Sequence, residues 1–361
     1  MVLTQLSISN LRNITELNFI PSCGINLIIG DNGSGKTTLL EAIHLLALGR
    51  SFRTRALKNV VQFSQQRSLV LAKMPNDIPI GLEYSLSSGL KIRLNSAPVN
   101  KLSELVTHLP LQFIPANCHH IFEQGPRYRR QLLDWGLFHV EHQFNYHWQS
   151  YKKIVQQRNS ALRQRKNNDE IRLWDHQYAL HGETITNYRV SYLAQLLQEF
   201  TNVFTRLCPD LKESEFTTKY KNGWTKASSL QQALIDSLER DKQLLYTKCG
   251  SHAADWIIKI NDGDPAEILS RGQQKLYFIA LSLAQTNITN NAGGGSDKSS
   301  SLLLIDDLSS ELDVHHQLLV LKELSRSPAQ CFITTTDFSL SERIKEIAHK
   351  VFHVKHGQLV E

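Results

Sequence analysis

The stretch Ile25-Asn26-Leu27-Ile28-Ile29 runs directly into Gly30-Asp31-Asn32-Gly33-Ser34-Gly35-Lys36-Thr37. Beyond it, Leu39, Leu40, Ile43, Leu46 and Ala47 recur at helical spacing, and Gly49 follows as a helix stop. A buried strand, a glycine-rich turn and a helix in that order restrict the chain to an α/β fold. The octet fits G-x-x-x-x-G-K-[ST], and its strand-to-helix setting is the context that makes the motif a phosphate loop. Its glycines let successive backbone N–H groups point at phosphates, and the helix adds its positive end. Residues Gly30 to Thr37, with Thr38, are therefore the expected nucleotide contacts. Lys36 would reach the β- and γ-phosphates, and the Thr37 hydroxyl would hold magnesium.

Two distant segments add to this. Leu302-Leu303-Leu304-Ile305 reads as a buried strand ending in Asp306-Asp307, with Ser309-Ser310-Glu311-Leu312-Asp313 beyond. Asp306 would hold the magnesium hydration shell, and Asp307 would orient and polarise the water that attacks the γ-phosphate. Upstream, Ser270-Arg271-Gly272-Gln273 precedes the helical run Leu276, Phe278, Ile279, Leu281 and Leu283, which puts that turn at a helix N-terminus. The three motifs together predict an ATPase head of the ABC type, in which two heads close on two ATP molecules. The Ser270 turn would then serve the partner's ATP. Asp307 stands where such heads usually carry glutamate, one methylene longer. Arg12 and Asn13 are candidate ATP contacts, and Gln112 is a candidate magnesium-sensing glutamine. Thr334-Thr335-Thr336-Asp337 occupies the place of a switch histidine, so any γ-phosphate sensor is a hydroxyl or another group.

With 361 residues the chain can bury a large core, and 41% apolar against 20% charged residues is a soluble composition. Its apolar runs are too short for a membrane span, and Met1 to Gln5 lack the basic start of a secretory signal, so a cytoplasmic protein is expected. The five cysteines are scattered, without a C-x-x-C pair, which supports neither a disulfide framework nor a zinc knuckle. His139 and His142 have helical ligand spacing but no third ligand nearby.

Along the chain, residues 66–114 look β-rich, with a hairpin through Ile80–Leu86 and Leu90–Leu94, and Pro110 and Pro115 bracket a short strand. From 119 to 245 proline and glycine thin out and amphipathic helices take over, with a break at Arg165–Asp169. A strand is expected at Trp256–Ile260, and a polar loop from Thr286 to Ser301. The expected organisation is an ATPase head in two parts, 1–118 and 246–361, with a sheet core and an antiparallel β lobe. A helical second domain, 119–245, is inserted between them.

The net charge of +6 permits an acidic partner without requiring one. Three basic clusters are more specific: Arg50, Arg53, Arg55 and Lys58; then Arg127, Arg129 and Arg130; then Lys152, Lys153, Arg158, Arg163, Arg165 and Lys166. Such clusters suit a nucleic-acid backbone.

The chain resembles the RecF family of bacterial repair ATPases almost end to end. The resemblance rests on Leu11-Arg12-Asn13, the phosphate loop, Gly49-Arg50-Ser51-Phe52-Arg53, Gly125-Pro126-Arg127-Tyr128-Arg129-Arg130 with Leu133-Asp134-Trp135, and Gln157-Arg158-Asn159. It continues through Ser270–Gln273 and Ser310–Asp313. It implies an ABC-type head with a short helical arm, an ATP-dependent homodimer, and slow, DNA-stimulated hydrolysis. It also implies binding of single- and double-stranded DNA and gap junctions, and work with RecR and RecO in loading RecA. One departure stands out. The family usually reads Gly-Pro-His, a basic residue and a nearby Asp, where this chain has Gly250-Ser251-His252-Ala253-Ala254-Asp255. The alternative function is the nucleotide-binding subunit of a membrane transporter, which shares the ATP motifs but carries a much shorter helical segment. A chromosome-organising ATPase would need coiled-coil arms for which this chain has no room.

Overall fold

The computed structural model describes residues 3–225, 229–292, 301–343, 347 and 350–360. It divides into two compact units. The first comprises Met1–Cys118, Val203–Lys212 and Ser270–Glu361; the second comprises His119–Asn202 and Glu213–Leu269.

In the first unit, Ile25–Ile29 and Leu302–Ile305 are buried throughout and read as near-continuous apolar runs, the mark of a parallel sheet. The strand order of that sheet is Leu111–Ile114, Leu302–Ile305, Gln330–Thr335, Ile25–Ile29, Lys350–Lys355 and Gln358–Val360, with only the last pair antiparallel. Pairing of Ile305 with Ile333, and of Thr335 with Ile29, sets the carboxyl ends of three strands side by side. Ligands of open α/β sheets bind at such ends. A second, antiparallel sheet contains Ile14–Phe19, Gln5–Leu11, Arg67–Lys73, Pro79–Ser85, Gly89–Leu94 and Ala97–Pro98.

Helix Lys36–Leu48 follows the phosphate loop, and its side chains share one core with both sheets. Leu39, Leu40, Ile43 and Leu45 are fully buried there, each contributing roughly 1.5–3 kcal/mol of apolar burial. The helix ends at Gly49, whose backbone is left-handed and whose N–H reaches Leu45 O. Two buried amides also bind the core. Asn26 donates to Ser22 O, Gly24 O and Cys331 O, while Gln330 accepts from Leu3 N–H and donates to Leu3 O and Ser22 O.

The second unit is built mainly from helices, including Gly125–Val140, Phe144–Arg163 and Leu230–Leu244. It also holds a two-stranded antiparallel ribbon, Phe216–Lys221 with Asp255–Ile260. The expected head segment 246–361 is thus corrected: residues up to Leu269 belong to the helical unit, because Asp255–Ile260 pairs with a strand from inside the expected arm. Residues Val203–Lys212 of that arm fall within the first unit. The loop expected from Thr286 is also corrected, since helix Arg271–Ala292 continues through its start; residues 293–300 lie outside the described ones.

Buried charge orders the second unit. Arg158 is fully buried, donating to Asp175 at 2.9 Å and to Asp241 and Thr247 at 2.8 Å. It is a core residue and not part of a basic surface. Arg189 forms a bidentate pair with Asp134 and donates to Ser251 O. Ser251, which stands for the usual proline, donates to Gly182 O and shares a 3.0 Å contact with Thr186 Oγ1, pairs that proline has no group to make. His252 meets the Tyr151 and Tyr178 hydroxyls.

Candidate functional site: a nucleotide cleft

A cleft of about 390 Å³ opens at the carboxyl ends of the parallel strands. It is lined by Arg12, Asn13, residues Asn32 to Thr38, Arg53, Ala116, Asp306, Asp307, Thr334 and Thr336. Gly35 lies at φ 117°, a conformation few residues besides glycine adopt, and it lets the chain turn into helix Lys36–Leu48. The loop is braced from outside: Asn13 donates to Gly33 O and accepts from Thr38 Oγ1, and Gly357 N–H donates to Ser34 O. Ser34 Oγ is buried without a hydrogen-bond partner, a polar group suited to a phosphate oxygen.

Lys36 is nearly buried and donates to Gly30 O at 2.6 Å and Asp31 O at 2.9 Å. Burial holds its pKa below the usual lysine value, opposed by the carboxylates of Asp307, Asp306 and Asp31. Thr37 Oγ1 donates to Asp306 Oδ1 at 3.0 Å, and Thr334 Oγ1 donates to the same oxygen at 2.8 Å. A hydroxyl and a carboxylate oxygen so close suit a hard divalent cation completed by water and phosphate. Among the described residues no cluster of three His, Cys, Asp or Glu side chains could hold a metal, and a magnesium site of this kind needs none.

Asp307 follows the strand in a left-handed conformation, φ 47°. Its N–H donates to Thr334 Oγ1 and its carboxylate accepts from Ser309 Oγ at 2.9 Å. The Ser270 turn forms a capping box: Ser270 Oγ accepts from Gln273 N–H, and Gln273 Oε1 accepts from Ser270 N–H. Ser270 and Arg271 are exposed and do not line the cleft. Gly272 sits against the next loop, where a Cβ would lie 2.8 Å from Glu311 O.

Four of the expected contacts have partners within the chain. Arg12 borders the cleft, but its guanidinium is bound bidentately to Glu41, at 2.9 and 2.8 Å. Gln112 is buried in mid-strand and donates to Gln285, away from the cleft. Arg129 pairs with Asp255, at 2.8 and 2.9 Å, and Arg130 donates to Ala254 O. Those two arginines are engaged by their own chain, whereas Arg127, Lys152, Lys153, Arg163 and Arg165 are exposed. Lys152 lies over the Trp148 ring at 5.1 Å. Glu41 and Lys275 carry no expectation from the motifs. Glu41 does stand out as an acid among the apolar residues of its helix, whereas Lys275 lies at the polar start of its own.

The model of the RecF/RecN/SMC N-terminal domain matches residues 2–359. Over 369 residues the chain is 39% identical to the DNA replication and repair protein RecF of Nitrosococcus oceani, spanning 100% of this chain and 99% of that protein. The chain belongs to the RecF family. RecF of Psychromonas ingrahamii is 38% identical over 365 residues, covering 99% of each chain. A solved structure of the recombination mediator protein RecF with ATP superposes with a TM-score of 0.82 at 26% identity, covering 99% of this chain and 96% of that one. An SMC head bound to the winged-helix domain of ScpA shares the fold, with a TM-score of 0.63 at 14% identity. Membership of the RecF family puts the chain in DNA replication and repair and removes the transporter reading. Among the described residues no helix is long and apolar enough to cross a membrane.

Proposed function

We propose that the chain is an ATP-dependent DNA-binding protein of recombinational repair and replication-fork maintenance, in which ATP joins two copies and slow hydrolysis releases them. One observation carries this. Lys36, Thr37, Asp306 and Asp307 meet in one cleft, while the exposed Ser270 turn lies outside it. A second copy would supply the missing turn, so that each γ-phosphate lies between one copy's phosphate loop and the other's helix N-terminus. Magnesium would be held by Thr37 and Asp306, and Asp307 would orient the attacking water. The solved RecF–ATP relative is a recombination mediator of the RecFOR pathway. That likeness supports RecO and RecR as partners, and the proposed task is RecA loading at DNA gaps, in the cytoplasm.

Sedimentation velocity with ATP and magnesium tests the dimer. Wild type should sediment as a dimer, and Ser270→Arg as a monomer with ATP affinity within about threefold of wild type, since the turn does not border its own cleft. Normal dimerisation of Ser270→Arg would sink the composite site. For DNA, the exposed Arg127, Lys152, Lys153, Arg163 and Arg165 are the proposed contacts. Replacing Arg163 and Arg165 with alanine should weaken binding and flatten the log–log salt slope by about 0.9 per lost phosphate contact. An unchanged slope would remove them from the interface.

A further inference from the structure

Lys275 lies in helix Arg271–Ala292, one turn beyond the Ser270 capping box, and its side chain is fully buried. Its Nζ donates to Asp307 O at 2.8 Å and to Ser310 O at 2.7 Å. Burying an ammonium group is costly even when it is hydrogen-bonded, and methionine would fill the space at far less cost. Stability alone therefore does not account for lysine here.

The loop that it grips is strained. Asp307 and Glu311 both adopt left-handed backbone, at φ 47° and 65°, and neither is glycine. Such residues persist where their surroundings over-determine them. Asp307 is held on three sides: its N–H by Thr334 Oγ1, its carboxylate by Ser309 Oγ, and its carbonyl by Lys275 Nζ. Only the last of these comes from the helix that the Ser270 turn begins. The same helix approaches the loop at Gly272, against Glu311 O. A shift of the helix start would therefore reach the Asp307 backbone through a charge-assisted bond.

We propose that Lys275 is a positioning residue that couples the seating of the Ser270 turn to the orientation of the Asp307 carboxylate. Hydrolysis then proceeds at full rate only when a partner's nucleotide engages that turn. This rests on the reading of Asp307 as the group that orients the attacking water.

The test is steady-state ATP hydrolysis by the full chain in a double-mutant cycle: wild type, Lys275→Met, Asp307→Asn and the double variant. Lys275→Met should lower kcat roughly 10- to 100-fold, the scale of a misplaced catalytic group. Its KM should stay within about threefold, and ATP should still produce the dimer. In the Asp307→Asn background the same change should have no further effect, because the group that it positions is already gone. A wild-type kcat in Lys275→Met beside an impaired Asp307→Asn would overturn the coupling alone. An equal further loss in the double variant would also overturn it. Wild-type hydrolysis by Asp307→Asn would remove the water-orienting reading, and the coupling with it. Lys275→Gln, whose amide is one atom shorter, should give the same split, and reads it where the methionine variant does not fold.

Discussion

Lys36→Ala should abolish ATP binding at working concentrations and, with it, ATP-dependent dimerisation. Lys36 is the buried cation of the cleft, and its ammonium donates to Gly30 O and Asp31 O, within reach of any phosphate lying on the loop. Hydrogen bonds to charged groups are worth roughly 1.5–3 kcal/mol each, so losing two that the ammonium would make to phosphate oxygens costs about 100-fold in affinity or more. The alanine also leaves Asp306 and Asp307 facing the phosphates with one counter-charge fewer, which acts in the same direction. Titration with a fluorescent ATP analogue measures this directly. Affinity within threefold of wild type would contradict the assignment of Lys36.

Asp307→Asn should have the second large effect, with a different signature. A positioned acid–base group contributes about 100- to 10,000-fold, and hydrolysis should fall on that scale. Binding should hold or tighten, because a negative charge beside the γ-phosphate has been removed. The expected species is a long-lived ATP dimer, seen as a sedimenting dimer that outlasts the wild-type one after excess ATP is removed. Hydrolysis within threefold of wild type would shift the role to another group, with Thr336 on the same cleft the first to examine.

The sequence made the local features plain. Ile25 to Thr37 carry strand, loop and helix signals in one unbroken run, and the hairpin expected through Ile80–Leu94 is the paired Pro79–Ser85 and Gly89–Leu94. The break at Arg165–Asp169 is present too, with Arg165 left-handed and Asn167 and Glu170 forming a capping box. Illegible were the pairings between distant charges. Arg158 has the spacing of a solvated helix face until Asp241, 83 positions away, is brought against it. Nor does spacing show that Asp255 binds Arg129, or that Glu41 binds Arg12 at the edge of the cleft. Gln112 is a related case: its strand is legible in the sequence, but the partner of its side chain, Gln285, is not. Local spacing tells which face a residue occupies, and not which distant partner the tertiary fold brings to it.

The order of strands in the parallel sheet has a consequence for synthesis. Ile25–Ile29 leaves the ribosome early, yet both its neighbours, Gln330–Thr335 and Lys350–Lys355, come from the far end of the chain. The Asn26–Cys331 hydrogen bond spans 305 positions. At about 5–20 residues per second, that strand waits roughly 15–60 s for its first partner, while the antiparallel lobe of neighbouring hairpins has every strand in hand. The nucleotide cleft is thus one of the last features to form, so a truncated or stalled product carries the phosphate-loop sequence without a working site. An apolar strand exposed for that long is also the segment most in need of a chaperone's protection.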